Sequence, residues 1–330
     1  MQHPISKRSK AALAALAVGS LMTLAACGSD GTQPAAGSDT GSGSDSTKTI
    51  VFSPLGLKIP AMQQLSEGVK HYGEEKGYEV LVQDPKLDPQ KQVTDLQSVI
   101  ESGRAAGAWV IAVQPSSMQA LVKSAQEKKV PLILNGVPED YGLSGLEPLV
   151  SFSTIDYVAQ GQAIGEELGN CINEKLGGKA EVIMEENSPG TAGKEQLEST
   201  AKQALAQTAP GAKIVSTVVV SDRAKAQTDI GNALQGNPNA KAVLGNNDEG
   251  ALGALGAYAA AGKELTCVTE AGGNEESLAA ARSGKIYAVV ALQFQADMAQ
   301  SFDTLVKMQA DPKGKGEVLV VPQKVVTAAG

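Results

Sequence analysis

Short β-branched runs alternate along the chain with longer stretches whose apolar residues recur at helical spacing. Residues 49–52, Thr-Ile-Val-Phe, read as a strand. Residues 61–76 follow with Met62, Leu65, Val69 and Tyr72 on one helical face. Residues 78–82 are the next strand and 89–102 the next helix, with Asp88 as its cap, Pro89 in its first turn and Gly103 at its end. Strand 108–113, helix 118–128 and strand 131–134 continue the alternation, and residues 149–152 close the first series.

A second series begins at once. Helices over 157–175, 194–207, 224–235, 249–261 and 275–283 precede strands at 180–184, 213–220, 240–244, 265–268 and 286–291. Repeated strand-helix-strand units predict parallel sheets covered on both faces. The expected fold class is therefore α/β, with two doubly wound parallel-sheet lobes. Two such lobes in tandem would aim the carboxyl ends of their strands at a shared cleft, where open sheets of this kind bind ligands.

The first residues follow a different pattern. Lys7, Arg8 and Lys10 precede a short apolar run from 11 to 26, too short to span a bilayer, which needs about 20 apolar residues. The run ends in Leu24-Ala25-Ala26-Cys27, small residues before a cysteine. This tetrapeptide resembles the lipobox of bacterial lipoproteins. The resemblance implies a signal peptide over 1–26 and a lipid on Cys27, which would hold the chain on the extracytoplasmic face of the cell membrane. Residues 28–48 are nearly all Gly, Ser, Thr, Asp, Ala and Pro, a composition that remains a flexible coil. An anchor with a tether over 27–47 is the expected arrangement.

Charge narrows the possible partners. The net charge is −8, and loss of the leader would remove three more basic residues, so nucleic acid is excluded as a partner. The region from 47 to 330 suffices for two ordinary domains, and its abundant Ala and Gly suit closely packed helices. Beyond the leader the chain has a single histidine, His71, in the charged helical stretch Val69-Lys70-His71-Tyr72, where it reads as a solvated position. Neither a Ser-His-Asp device nor a zinc site of ordinary spacing can be assembled around it, so no enzyme and no cofactor are expected. Cys171 and Cys267 form an even pair in an oxidising compartment; a disulfide is favoured, two buried thiols being the other reading.

Several motifs, in order and at matching spacing, give the chain a specific resemblance. They are Val130-Pro131-Leu132-Ile133, Asp156-Tyr157-Val158 with Gly161 and Gly165, Gly190-Thr191-Ala192-Gly193, Asn246-Asn247-Asp248-Glu249-Gly250-Ala251-Leu252-Gly253-Ala254, Ala261-Gly262-Lys263 and Gly284-Lys285-Ile286. From about 49 to 326 the chain resembles the periplasmic binding proteins of the ribose-binding type. The resemblance implies a three-crossing hinge and discontinuous lobes: 48–154 with 294–318, and 155–293 with 319–330. It also implies lobe closure around a solute. Sugar-responsive repressors share this core, but they carry a helix-turn-helix where this chain has a lipobox and tether.

Site residues follow from the resemblance one by one. Asn247 matches a ligand-binding asparagine, and Gln293 a glutamine at the last crossing. Gln114 replaces a polar strand-end residue. Asn135 falls where sugar binders place an Asp before an Arg, and Gly136 removes that guanidinium. Glu186 and Glu270, with Glu185, are acidic candidates for hydroxyls or an amine. Other positions depart from the pattern. Pro60 is followed by Ala61 and Met62 rather than two aromatic residues, Lys194 or Glu195 replaces an arginine, and Ala271 replaces an aspartate. Phe294 could add apolar surface, while Phe52 reads as core.

Two glycine patterns carry no nucleotide signal. Gly250, Gly253 and Gly256 read as close helix packing, and Gly190 to Lys194 lacks the spacing of a phosphate loop. The functional expectation is a monomeric binding lipoprotein that delivers a sugar, polyol or similar small polar solute to an ABC permease and its ATPase. Presentation of the solute to a sensor kinase or chemoreceptor is the alternative.

Overall fold

The structure, a computed structural model, describes residues 49–330. The leader, Cys27 and the tether lie outside the described residues. The first lobe is built from β1 (Thr49–Ser53), α1 (Pro60–Glu75), β2 (Glu79–Val82), α2 (Pro89–Glu101), β3 (Ala105–Val110), α3 (Gln119–Glu127), β4 (Leu132–Asn135) and β5 (Val150–Thr154). The second contains α4 (Tyr157–Leu176), β6 (Lys179–Asn187), α5 (Lys194–Thr208), β7 (Gly211–Val220), α6 (Arg223–Gly236), β8 (Ala242–Leu244), α7 (Asp248–Ala260), β9 (Cys267–Gly272), α8 (Glu275–Arg282) and β10 (Ala288–Leu292). The chain then returns through α9 (Phe294–Ala310) and β11 (Val318–Val320), and ends in β12 (Gln323–Val326).

The first sheet has the order β2-β1-β3-β4-β5-β11 and is parallel throughout. The second has the order β7-β6-β8-β9-β10-β12, parallel except for β12, which runs against β10. The inner strands of both sheets are buried on two faces, which is why they read as continuous apolar runs. Helix α9 seals the first lobe with Phe302, Leu305 and Met308, all buried against Ile50, Val69 and Trp109. Phe52 is core, as expected, and packs edge-on against Trp109 at 5.1 Å. His71 is exposed beside Glu75, a solvated helix position as its surroundings suggest.

Two boundaries differ from expectation for a physical reason. The strand expected over 108–113 ends at Val110, because after Ile111, whose N still donates to Ser53 O, side chains take over the amides. Ala112 N donates to Asn135 Oδ1 at 2.7 Å and Val113 N to Gln92 Oε1 at 2.8 Å. The first sheet also extends to Val320, two residues past the expected lobe boundary, so the third crossing falls at Val321 and Pro322. There Val321 N donates to Thr154 O, and Pro322 offers only a carbonyl, which accepts from Gln293 N, both at 2.8 Å.

Cys171 in α4 and Cys267 at the start of β9 are joined by a disulfide, with Cα atoms 5.8 Å apart. Helices α4 and α5 approach closely because Gly161 and Gly165 present no side chain. A Cβ at Gly165 would lie 2.3 Å from Ala201 O and 2.9 Å from Ala204 Cβ, both across the interface. Rigid backbone cannot yield as a flexible side chain would, so Gly165→Ala should cost about 1–3 kcal/mol. The expected readout is a lower denaturant midpoint with an unchanged slope; an unchanged midpoint would remove the packing role. In α7, Gly253 meets Ala226 Cβ and Arg223 O in the same manner, consistent with the packing expected there.

Candidate functional site

Three crossings join the lobes, at 154–157, 292–294 and 321–322, and they are tied to one another. Besides the two backbone bonds above, Gln323 Nε2 donates to Asp156 O at 3.1 Å. A cavity of ≈ 810 Å³ opens beside them. Its floor is apolar, from Leu55, Met62, Trp109 and Ile111 of the first lobe, with Phe294 and Val158 near the crossings. A smaller cavity of ≈ 150 Å³ enters the second lobe between Gln160, Asn187, Asn246 and Ala271. Tyr157, Ala192 and Gly193 line both, so the two adjoin.

The polar groups come from strand ends and crossing turns, where the backbone leaves the ladder. Asn135, at the end of β4, lines the larger cavity. Its Oδ1 is occupied by Ala112 N and by the Tyr141 hydroxyl at 3.0 Å, which leaves Nδ2 as its free donor among the described residues. Next to it Gly136 has φ +94°, and a Cβ there would meet Asp140 Oδ2 at 2.4 Å. The space beside Asn135 is thus filled by the Asp140 carboxylate, which accepts from Val137 N at 3.0 Å. Asp297, in the first turn of α9, is 5 % exposed; its Oδ1 accepts from Ser153 Oγ at 2.8 Å and Gln300 Nε2 at 2.9 Å. Burial raises its pKa. Burial also raises the Tyr157 hydroxyl, helped by the charge of Asp140.

The other carried-over residues do not line these cavities. Gln114 is exposed and bonds to Ser116 Oγ, because a turn of 3₁₀ helix starting at Pro115 carries it outward. Glu186 is held between Lys194 at 3.5 Å and Lys202 at 3.2 Å, drawn toward α5 by their charge. Asn247 caps α7, accepting from Gly250 N at 2.9 Å. Gln293 turns back to Ala291 O, and its neighbours Leu292 and Phe294 reach the cavities instead. Glu270 is fully buried beneath the second-lobe wall, where neither of its oxygens has a partner among the described residues.

Sequence reading missed Asn246, Asp297 and Trp109. Asn246 is 5 % exposed, and both of its amide atoms lack a partner among the described residues. Its adjacency to Asn247 hid it, since one residue's slip at a strand end reverses which side chain faces the cleft. Trp109 places an indole at the floor from β3, although no ring follows Pro60. Beneath Asn246 lies Glu185, 1 % exposed, whose Oε2 accepts from Asn246 N at 3.2 Å. Burial pushes its carboxyl up to about 8, against that bond. Glu270 is raised well above the usual range by burial, then by the charge of Asp248. Gly250 makes room for this pair, since a Cβ there would stand 2.0 Å from Glu185 Oε2.

Comparison with known proteins places this geometry. The family described as periplasmic binding protein domain matches residues 50–314. The ribose import binding protein of Bacillus subtilis is 30 % identical over 289 residues, covering 86 % of this chain and 88 % of that protein. The xylitol-binding protein of Mycolicibacterium smegmatis is 27 % identical, covering 85 % and 74 %. The structure of a periplasmic solute-binding protein from Actinobacillus succinogenes with bound D-allose has the same fold. Its TM-score is 0.74 at 20 % identity, over 86 % of this chain and 98 % of that one. Two parallel-sheet lobes, three crossings and a matched span of this length mean that the chain belongs to the periplasmic binding protein family of the ribose-binding type, whose members bind solutes rather than transform them.

Proposed function

We propose that this protein is an extracytoplasmic binding lipoprotein. It holds a sugar, polyol or similar small polar solute between its lobes and delivers it to an ABC permease and its ATPase. The observation that carries this reading is the cavity of ≈ 810 Å³ at the crossings, with an apolar floor and convergent polar side chains on its walls. That combination suits a ring with one apolar face and a rim of hydroxyls. Asn135 would donate from the first lobe, and Asn246 would donate and accept from the second. The relatives that bind ribose and xylitol support the solute class. The lipobox-like Leu24 to Cys27 supports an anchor on the outer face of the membrane, and the tether supports reach to the permease.

The direct test is a thermal-shift screen of the full chain against sugars, polyols, amino acids and small acids. A ligand that binds only the folded state raises the melting temperature with its concentration over its dissociation constant. A monosaccharide or polyol is the expected hit; a hit confined to amino acids or acids would overturn the solute class. With the hit in hand, Asn246→Ala should weaken affinity roughly 5- to 150-fold, the cost of stranding a buried hydrogen-bonding partner. Unchanged affinity would remove Asn246 from the site.

A further inference from the structure

We infer that the solute in this cleft carries a basic amine, as in an amino sugar or amino-polyol. The inference rests on the binding reading above and names the charge class of its ligand.

Three carboxylates line the larger cavity: Asp140, Asp156 and Asp297. No lysine, arginine or histidine among the described residues lines either cavity. None of the three carboxylates belongs to an ion pair among the described residues. The chain does pair a carboxylate close by: Glu186, behind the second-lobe wall, holds both Lys194 and Lys202.

Each of the three is fixed through one oxygen and leaves the other unengaged among the described residues. Asp140 Oδ2 accepts from Val137 N, Asp156 Oδ1 from Ala159 N, and Asp297 Oδ1 from Ser153 Oγ and Gln300 Nε2. Asp297 matters most, because it is 5 % exposed and its partners are neutral. A buried carboxylate with neutral partners is costly until a cation arrives. Burial raises its pKa, the direction that an ammonium at Oδ2 would reverse. The unpartnered amide of Asn246 lines the adjoining cavity and is suited to the hydroxyls of the same molecule. The apolar floor of Leu55, Met62 and Trp109 suits its ring carbons.

The test uses matched pairs on the full chain at neutral pH, by calorimetry. The pairs are D-glucosamine with D-glucose, D-galactosamine with D-galactose, and 1-amino-1-deoxysorbitol with sorbitol; N-acetylglucosamine keeps the nitrogen and removes its charge. At least one amine should bind about 10-fold or more tightly than its neutral partner, and acetylation should abolish that preference. In Asp297→Asn the preference should contract to within about 3-fold, since an amide oxygen can still accept from Ser153 and Gln300. Asp156→Asn, which keeps a capping side chain, provides a second variant with the charge removed. Neutral members binding as tightly as their amines would overturn the amine inference and leave the sugar reading standing. Silence from every amine here, with a neutral sugar or polyol binding in the thermal-shift screen, would overturn the amine inference alone.

Discussion

Replacing Glu185 with glutamine will raise the melting temperature at pH 9 by roughly 5–10 °C and leave it nearly unchanged at pH 5. The reason is the pH dependence of the wild-type protein. In the unfolded chain this carboxyl ionises near 4.5; in the fold, burial holds it neutral up to about 8. Between those values the folded protein retains a proton that the unfolded chain has released. The contribution of this group to stability is therefore full below 4.5, falls as pH rises from 4.5 to about 8, and is absent above that. For a carboxyl moved from 4.5 to about 8 the loss is on the order of 5 kcal/mol. Glutamine cannot ionise, and its amide oxygen still accepts from Asn246 N. Glu270, raised in the same direction and coupled to Glu185, adds to the slope. Parallel melting curves for wild type and Glu185→Gln across this range would show that Glu185 is ionised and satisfied in the fold. The window also bears on binding, because Glu185 supports Asn246 from beneath.

Removing both Cys171 and Cys267, as the double alanine variant, will cost about 4 kcal/mol. The bridge closes a loop of 96 residues, so it removes a large share of the unfolded chain's freedom. Both cysteines are fully buried between α4 and β9, and alanine fits the space without steric conflict. A lower denaturant midpoint with wild-type secondary structure is the expected result. The same cost should appear when the wild-type protein is unfolded in excess reductant. Two thiols titrating in the denatured, unreduced wild-type chain would disprove the bridge. This measurement differs from the Glu185 one in its pH profile: the disulfide's contribution should be flat across the range in which Glu185 titrates.

Much of the architecture is carried by local pattern. Runs such as Ile50-Val51-Phe52 and Val182-Ile183-Met184 have no polar alternate, which is the mark of a strand buried on both faces. Asp88 before Pro89 starts α2, and Asp222 starts α6, because short polar side chains satisfy the first free amides. Helix and strand boundaries fell within a few residues except where side chains intervened. Gln92 shows why those cases escape local reading. It is 1 % exposed, donates to Ser53 Oγ and Ile111 O, and accepts from Val113 N, so three segments meet on one amide. No periodicity marks such a residue as buried. Helix α9 and strands β11 and β12 were likewise assigned by lobe rather than as elements.

The site divides along the same line. Which segments approach the cleft follows from topology, since strand ends of a doubly wound sheet gather at one edge. Sequence placed Asn135 there. Which atom of each segment faces the ligand depends on the rotation of the last strand residue. Asn246 and Asn247 are adjacent and chemically identical, yet one lines the cavity and the other caps α7. Glu186 and Glu270 likewise lie off the cavities in surroundings that only the fold supplies: two lysines beside the first, and burial next to other carboxyls for the second. By itself the amino-acid order determined the two-lobed α/β class, because that depends on periodicity, and its ordered motifs from Val130 to Ile286 carried the resemblance to the family. The tertiary structure alone decided which carboxylates are paired, which are buried neutral and which face the cleft without a cation, because charge and burial are set by neighbours distant in sequence.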